Sequence, residues 1–345
     1  MTGHFSSSDE IENAAAQFIT GKLSSIDHSY DVIRDCVLGT GHCATVHECV
    51  NRSTGQRYAV KTINKNDPRV KLSYLRRELS LLQEMKHDNI VRLVDVFEDQ
   101  NCLHLVTELA MGGDLFGKIV QQEKASRISA NENAPRCFPE DEVASILRQL
   151  LTAVSYLQSQ DIVHRDIKPE NIVFDTTKED LIIKLVDFGL SRKHYQNSFE
   201  PYMSDILGSS YYVAPEVLSR KYNKSCDLWA VGVIGFLMFT GYPPFQGRTD
   251  NEVIENIRRS KLRFNPEHWK NVSKEAKDFI RKLLKTNPKK RMTAEKALNH
   301  PWILKQSTKQ EEKSCVKAES NVMNRKKSIL SVVNKQKLIM SMFHQ

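Results

Sequence analysis

The chain has 345 residues, of which 40% are hydrophobic and 27% charged, and its formal net charge is +8. Its longest apolar run, residues 229–240, is too short to cross a bilayer, and its seven cysteines lack the spacing of metal ligands. These features exclude a helical membrane protein and a disulfide scaffold. They predict a protein with free thiols in the cytoplasm, with the nucleus as the alternative compartment.

The positive charge is concentrated in one part of the chain. Residues 321–345 contain five lysines and arginines and no acidic residue, so the other 320 residues carry only +3 of the net +8. Residues 1–320 are nearly neutral and therefore lack the positive charge that is typical of a nucleic-acid-binding protein. We therefore expect no nucleic-acid partner, and we interpret the basic segment as part of a separate tail, residues 304–345.

The first predicted elements are strands. They follow an N-terminal extension, residues 1–29, which is polar at first and then helical in pattern over residues 11–23. Short β-branched runs then alternate with turn residues and predict five strands, with one helix at residues 72–85 after the third. The strands are predicted over residues 31–33, 44–50, 57–63, 90–97 and 103–109.

The pattern becomes mainly helical after Gly112 and Gly113. A polar stretch without periodicity, residues 123–137, is predicted as a surface loop inserted between the first two helices. The helices are predicted over residues 115–122, 141–158, 227–240, 250–259, 274–285 and 294–298. A small β-rich part thus precedes a larger helical part, and the cleft between them is the expected ligand site.

A glycine-containing loop joins the first two predicted strands. Glycines let the main chain approach phosphates closely and offer its N–H groups to them. On the next strand, Lys61 lies between apolar neighbours and requires an anionic partner. Glu78, at the edge of the apolar stripe of the predicted helix, is the candidate, although on an isolated helix it would be interpreted as a solvated acid. The loop comprises Leu38, Gly39, Thr40, Gly41, His42, Cys43, Ala44, Thr45 and Val46.

Residues 164–172 place a carboxylate, an ammonium group and a side-chain amide at fixed spacing beside a strand-like apolar run. These groups belong to Asp166, Lys168 and Asn171, and Asp187 follows on a turn between two further strand-like segments. A nucleotide-dependent phosphotransferase needs an acid to orient a hydroxyl, a cation on the transferring phosphoryl group and oxygen ligands for Mg²⁺. A helix cap or turn is the alternative role for Asp166.

With these motifs, and with Asp187-Phe188-Gly189 and Ala214-Pro215-Glu216 in the same order, the chain resembles eukaryotic protein kinases over residues 30–303. The resemblance implies an α+β, two-lobed protein kinase fold. Its small β-rich N-lobe with one helix would comprise residues 30–111, and its larger, mainly helical C-lobe residues 112–303. It also implies ATP and Mg²⁺ as cofactors and proteins as substrates.

The resemblance implies a role for each matching residue. Asp166 would orient the substrate hydroxyl and accept its proton, and Lys168 would contact the γ-phosphate. Asn171 and Asp187 would hold Mg²⁺. The other implied ATP contacts are the glycine loop, Lys61, Glu78, Glu108, Ala110 and Asp114.

Three supporting contacts are implied as well. Arg165 would meet the activation segment, and Asp227 would brace the loop that carries the catalytic acid. Glu216 would pair with Arg291 in a structural role deep in the C-lobe.

The substrate class is implied by the same resemblance. Lys168, together with Gly208-Ser209 before Tyr212, is typical of Ser/Thr kinases rather than tyrosine kinases. Ser209 and the two acids Asp114 and Glu170 are expected to contact the substrate. The acids predict a preference for Arg three residues before the Ser or Thr that is phosphorylated.

Within the kinases, the chain resembles the calcium/calmodulin-regulated group, and residues 205–212 resemble calcium-dependent protein kinases most closely. Those kinases carry calcium-binding helix-loop-helix repeats after the catalytic domain, whereas this sequence contains no Asp-x-Asp-x-Asp-Gly loop, so direct calcium binding is not expected. Asp205 stands where many relatives have a phosphorylated threonine. A fixed carboxylate there predicts near-full activity without phosphorylation, and an ordinary surface acid is the alternative.

The basic tail carries the expected regulation. Ile329, Val333 and Leu338 follow a basic cluster in a pattern typical of calmodulin targets, and the tail resembles the autoinhibitory segment of the group. Ser328 is a candidate autophosphorylation site. A solvated basic helix, a membrane-surface patch and a nuclear-targeting patch are the alternatives for this segment.

The expected function is therefore a Ser/Thr kinase that its tail inhibits and calcium/calmodulin releases. The alternatives are a constitutively active kinase of the same group and a pseudokinase scaffold that binds nucleotide without transferring phosphate. Intact Lys61, Asp166, Asn171 and Asp187 argue against the scaffold.

Overall fold

Five antiparallel strands form the first sheet, in the spatial order β1-β2-β3-β5-β4. The strands are β1 (Tyr30–Thr40), β2 (Ala44–Asn51), β3 (Arg57–Asn64), β4 (Leu93–Glu98) and β5 (Cys102–Glu108). They belong to a computed structural model that describes residues 19–20, 23–41, 44–128, 138–175, 181–194, 203, 210–259 and 262–306. The prediction of five strands in the first part of the chain is confirmed.

The alternation of side chains along β3 gives the sheet two different faces. Val60 is buried on the outer face, in a small cluster with Val106, whereas Ile63 is buried in the main core on the inner face. Lys61 has the same parity as Ile63 and therefore points to the inner side. Strand β3 thus buries apolar side chains on both faces of the sheet and directs Lys61 to the inner side.

Helix α1 (Leu72–Glu84) packs against the inner face of this sheet. Leu75, Leu79 and Leu82 recur at the spacing of one helical face, and all three are buried in the main core. Glu78 lies beside this stripe and is only 4% exposed. The apolar contacts of α1 therefore carry a carboxylate into the space that Lys61 faces.

The outer face of the sheet is covered by a segment of the N-terminal extension. A single 3-10 turn, Ile26–His28, and the ring of Tyr30 pack in the small cluster that contains Val60 and Val106. The Tyr30 hydroxyl donates a hydrogen bond to Asp95 on β4. This segment removes the outer apolar surface of the sheet from water.

The second part of the described chain is mainly helical, with two small antiparallel sheets on its cleft side. One sheet pairs β6 (Ile162–Val163) with β9 (Arg192–Lys193), and the other pairs β7 (Ile172–Asp175) with β8 (Ile182–Leu185). The helices are α2 (Leu115–Ile128), α3 (Glu140–Ser159), α4 (Pro215–Leu218), α5 (Ser225–Thr240), α6 (Asp250–Arg259), α7 (Pro266–Trp269), α8 (Lys274–Leu283) and α9 (Ala294–Leu298).

Helix α5 forms the centre of this part. All its residues from Cys226 to Thr240 are buried, as expected for a helix that is apolar around its whole circumference. A Cβ atom on Gly235 would lie 2.6 Å from Ile280 of α8 and 2.8 Å from Leu147 of α3. The glycine therefore lets α5 approach both neighbouring helices closely. With the sheet and α1 before it, this arrangement is the predicted α+β, two-lobed kinase fold.

Helix α2 ends later than the sequence pattern predicted. It continues to Ile128, so the prediction of a loop over residues 123–137 was wrong at residues 123–128, and residues 129–137 lie outside the described part of the chain. Glu123 lies against Gly241, where an added Cβ would come within 2.9 Å of the Glu123 Cγ atom. This contact and the helix-favouring residues of the stretch explain the extension, although the polar composition suggested a loop.

The fourth strand begins later than predicted, at Leu93 rather than at residue 90, because the preceding main chain pairs with the helical lobe. Leu185 of β8 donates its N–H to the Asn89 carbonyl at 2.9 Å, and Val91 donates to the Leu185 carbonyl at 3.0 Å. Gly112, the first residue of the helical lobe, donates its N–H to the Phe174 carbonyl at 2.7 Å. Main-chain bonds through Asn89 and Val91 therefore connect the small lobe directly to β8 of the helical lobe.

Several predicted segments lie wholly or mostly outside the described residues. These are the helical pattern at 11–23, apart from residues 19, 20 and 23, and the tail from residue 307 onward. Across the described ranges, none of the helices combines the length and apolar character needed to cross a membrane.

Candidate functional site

Lys61 is the centre of the first charged cluster in the cleft. Its Nζ atom donates to Glu78 Oε1 at 2.7 Å and to Asp187 Oδ1 at 2.9 Å. The three residues come from β3, from α1 and from the loop after β8, so the cluster forms only when these elements are in place. The predicted Lys61–Glu78 pair is present, and Asp187 is a second partner.

The charges in this cluster stabilise one another. Burial alone would lower the pKa of Lys61, but the carboxylates of Glu78 and Asp187 outweigh it and raise that pKa above its ordinary value. The Lys61 ammonium in turn lowers the pKa of Asp187 to about 2. Because the folded-state pKa of Asp187 is depressed, the stabilisation is present above the ordinary carboxylate pKa and is lost only as the pH falls toward about 2.

A second cluster surrounds Asp166. Lys168 Nζ donates to Asp166 Oδ2 at 2.8 Å, and Asn171 Nδ2 donates to the same oxygen at 3.1 Å. Asn171 also donates to the Asp166 carbonyl at 2.8 Å, which closes the loop onto itself. The carboxylate is therefore held in one orientation by two side chains of its own loop.

Asp227 on α5 binds the main chain of this loop. Its carboxylate accepts hydrogen bonds from His164 N–H at 2.9 Å and from Arg165 N–H at 3.0 Å. Arg165 has a left-handed φ of 69°, a conformation that a non-glycine residue adopts at a cost. The buried carboxylate compensates for this strain, so the bracing role predicted for Asp227 has a geometric basis.

The β7–β8 hairpin brings Asn171 and Asp187 to the same end of a small sheet. Asn171 immediately precedes β7, and its carbonyl accepts the N–H of Val186 at 2.9 Å. Asp187 follows directly, with a left-handed φ of 62° that turns the chain toward Lys61.

The chemistry of these two side chains fits Mg²⁺. An amide oxygen and a carboxylate are oxygen ligands, and Mg²⁺ is commonly held by one or two carboxylates together with substrate phosphates. The described residues contain no group of three or more His, Cys, Asp or Glu side chains that could hold a metal by itself. The arrangement suits a cation that arrives with a phosphate ligand.

The glycine loop is the hairpin between β1 and β2. Strand pairing aligns Gly39 with Val46 and Thr40 with Thr45, and Gly41 N–H donates to the Ala44 carbonyl at 2.8 Å. Val46 is in turn paired with Lys61 across β2 and β3. The predicted loop residues thus extend over the Lys61 cluster, except that His42 and Cys43 lie outside the described part.

The segment after β5 connects the lobes beside this loop. The Glu108 side chain is bonded to Lys184 at 2.9 Å and to the N–H of Arg92 at 2.9 Å, and the Glu108 N–H donates to the Arg92 carbonyl at 3.1 Å. Ala110 is half-buried and follows Glu108 on this segment. Asp114 accepts the N–H of Gly117 at 2.6 Å and caps the start of α2.

Of the residues expected to contact a substrate, only some can be located. Glu170 is exposed beside Tyr212, whose pKa is raised by burial and by the nearby Glu170 carboxylate. Ser209 and the regulatory residues Asp205, Ser328, Ile329, Val333 and Leu338 lie outside the described part of the chain. Arg165, expected to meet the activation segment, donates to the Leu190 carbonyl at 2.6 Å.

A pocket beside Asp166 was not predicted. Its wall includes Ile167 of the loop, Ala214, and Tyr222 and Cys226 from before and within α5. The lining residues come from separate segments, and no local sequence pattern could have joined them.

Glu216 and Arg291 form a buried ion pair away from the cleft. Arg291 donates to both Glu216 carboxylate oxygens, at 2.5 Å and 2.8 Å. It also donates to the carbonyls of Ser225 and Lys285. The pair predicted for the C-lobe is therefore present and ties α4 to the start of α5.

Comparison with known proteins gives a consistent result. The sequence model of the family described as "Protein kinase domain" matches residues 33–303. The calcium/calmodulin-dependent protein kinase cmkB of Emericella nidulans is 40% identical over 270 residues, which cover 77% of this chain and 63% of that protein. Calcium-dependent protein kinase 5 is 36% identical in Plasmodium berghei and 37% identical in Plasmodium falciparum, each match covering 78% of this chain. The chain spans 45% and 44% of those two relatives, about half their length.

Proposed function

This chain belongs to the protein kinase family, and on that premise we propose that it is a Ser/Thr protein kinase that transfers the γ-phosphate of ATP to protein substrates. The observation that carries the proposal is the pair of adjoining clusters in the cleft. Lys61 is bonded to both Glu78 and Asp187, and Asp166 is bonded to both Lys168 and Asn171. Positioned charges of this kind are what phosphoryl transfer requires of a protein.

Each cluster has its own task in the proposed mechanism. Lys61, held by Glu78, would bind and orient the nucleotide phosphates under the glycine loop. Asp166 would orient the substrate hydroxyl and accept its proton, while Lys168 would face the transferring phosphoryl group. Asn171 and Asp187 would hold Mg²⁺, which when bound neutralises charge on the phosphates.

We propose a substrate preference for Arg three residues before the phosphorylated Ser or Thr. The exposed carboxylate of Glu170 supports it, because an exposed acid can meet a basic side chain of a bound peptide. Asp114, which immediately precedes α2, is the second acid in the proposal. Ser209 is proposed to contact the substrate as well.

The basic tail is the candidate regulatory segment. We propose that the tail, residues 304–345, inhibits the kinase and that calmodulin releases it through Ile329, Val333 and Leu338. The basic, acid-free composition of residues 321–345 and the name of the Emericella relative support this. Asp205 is proposed to replace an activating phosphate and Ser328 to be autophosphorylated, in a protein of the cytoplasm.

The first test measures phosphate transfer from Mg·ATP to an Arg-x-x-Ser peptide, with and without calcium and calmodulin. We expect transfer that rises on calmodulin addition and that falls on an otherwise identical Ala-x-x-Ser peptide. Chelation of Mg²⁺ should abolish it. Prior treatment with an upstream kinase should add little, because Asp205 already supplies a negative charge.

The outcomes separate the parts of the proposal. Equal activity with and without calmodulin would remove the calmodulin control and leave a constitutive kinase. Binding of ATP without transfer to any peptide would instead identify a nucleotide-binding scaffold.

We expect Glu78→Gln to reduce kcat/KM for ATP by about 10- to 100-fold, because a neutral amide oxygen replaces the carboxylate that holds the Lys61 ammonium. Lys61 then keeps a charged bond to Asp187 but is held less firmly in the phosphate-binding position. Steady-state kinetics at varied ATP would measure the change.

Glu84→Gln is the matched control on the same helix. The Glu84 side chain is 53% exposed and pairs with Lys193 on the surface, so its loss should change kcat/KM less than about threefold. Equal effects of the two substitutions would contradict the assigned role of Glu78.

A further inference from the structure

A further buried charge cluster, formed by Glu98 and Lys65, lies at the end of β4. Glu98 ends β4 and is fully buried, with 0% of its surface exposed. Lys65, just after β3, donates to Glu98 Oε1 at 2.8 Å and to the Asp99 carbonyl at 2.7 Å. None of the roles described for the cleft uses these two residues.

The other partners of Glu98 come from the N-terminal extension. The N–H of Ile19 donates to both carboxylate oxygens at 3.0 Å, and the N–H of Thr20 donates at 2.7 Å. The Thr20 hydroxyl donates to Glu98 Oε2, also at 2.7 Å. A carboxylate that accepts consecutive main-chain N–H groups recognises a chain segment, in addition to its ion pair.

The extension also pairs with the edge of the sheet. Strand β4 is one edge, and Ser24 forms an antiparallel bridge with Glu98 through a 2.7 Å bond from Ser24 N–H to the Glu98 carbonyl. The Ser24 hydroxyl accepts the N–H of Glu98 at 3.3 Å. Pairing of a segment with an open strand edge is a common mode of peptide recognition.

Ile19 adds an apolar contact to these polar ones. Its side chain is half-buried and packs against the main core. The apolar stripe of α1 lies in the same core, which extends over both lobes. Ile19 thus belongs to the same apolar core as the helix that carries Glu78.

We propose that Glu98 and Lys65 form a docking site for the N-terminal extension, occupied by Ile19 and Thr20 of the same chain, and that docking holds α1 in position. Ile19 and Thr20, which bind Glu98, precede residue 33, where the match to the kinase family model begins. The site therefore joins a segment outside the family match to the sheet on whose inner face α1, the helix that supplies Glu78, packs. This inference rests on the proposed function only where it assigns a nucleotide-binding consequence to α1.

The test compares amide hydrogen exchange in the full chain and in Thr20→Ala. Removing the hydroxyl donor should speed exchange at residues 19–24 by about 10-fold, since it removes one hydrogen bond to a charged group. The amides of α1 should exchange faster as well, whereas those of the buried α5 should not change. Affinity for a fluorescent ATP analogue should fall several-fold in the same variant.

Two matched variants keep the test specific. Thr20→Ser retains the hydroxyl and should behave as the original chain. Ser25→Ala removes a hydroxyl that accepts the N–H of Asp27 at 3.3 Å within the 3-10 turn, and should leave α1 unchanged.

Faster exchange at residues 19–24 with no change in α1 would overturn the positioning role of the segment. Unchanged exchange at residues 19–24 in both Thr20→Ala and Glu98→Gln would overturn the docking site itself. Neither exchange result depends on whether the chain transfers phosphate, so failure of this inference is distinguishable from failure of the proposed kinase activity.

Discussion

Replacing Asp166 by Asn should lower kcat for phosphate transfer by about 10²- to 10⁴-fold, the usual contribution of a positioned general base. The amide keeps the size of the carboxylate but accepts no proton from the substrate hydroxyl. Lys168 and Asn171 donate to the Asp166 carboxylate at 2.8 Å and 3.1 Å, so the loss is expected in chemistry rather than in folding. Rates at saturating ATP and peptide measure it.

The same variant should bind ATP almost as tightly as the original chain, because Lys61 and its two carboxylate partners remain. Asp88→Asn is the matched control. Asp88 is exposed in the loop after α1, so its replacement should change neither kcat nor ATP affinity. A loss of ATP affinity as large as the loss of kcat would show that Asp166 acts mainly in nucleotide binding, against the proposal.

Replacing Arg291 by Met should lower the free energy of unfolding by about 3–5 kcal/mol, the range measured in proteins when one partner of a buried ion pair is removed. Glu216 is only 7% exposed and would be left as a buried charge without its partner. The carbonyls of Ser225 and Lys285 would lose a donor as well. Urea unfolding followed by tryptophan fluorescence measures the change, since Trp229 lies 5.2 Å from the Arg291 guanidinium.

Arg259→Met is the matched control for this loss of charge. Its side chain is 66% exposed and pairs with Glu255 on the surface, so the substitution should cost less than about 1 kcal/mol. Adding Glu216→Leu to Arg291→Met should recover part of the lost stability, because no buried charge then remains. Equal destabilisation by Arg291→Met and Arg259→Met would contradict the inference that burial makes the Glu216–Arg291 pair important for stability.

The charged groups of the cleft could be predicted because the kinase motifs occur as short, ordered strings of residues. Lys61, Glu78 and Asp166 each stand in a recognisable local pattern, and their element assignments agree with the structure. The pairing of Glu78 with Lys61 could be anticipated from one physical requirement, that a lysine on a buried strand needs an anion. Asp187 was expected as a metal ligand, and its contact with Lys61 adds a second role.

Contacts between distant segments without motifs could not be predicted. The bond between Thr20 and Glu98 joins residues 78 positions apart, and neither residue has a distinctive sequence context. The end of α2 was misplaced because a polar stretch resembles a loop in sequence when it packs against a distant residue such as Gly241. Local patterns report periodicity and composition, whereas these features depend on the tertiary fold.

Ile26–His28 and Tyr30 cover the outer face of the five-stranded sheet. This packing determines where the folding unit begins. Similarity to the kinase family starts at residue 33, yet Tyr30 is only 1% exposed and is part of the core. A shortened chain that began at residue 33 would bare Val60 and Val106 and would also open the β4 edge next to Ser24. Bare apolar surface beside an unpaired strand edge promotes self-association, so the boundary of homology is here a poor guide to the boundary of a soluble domain.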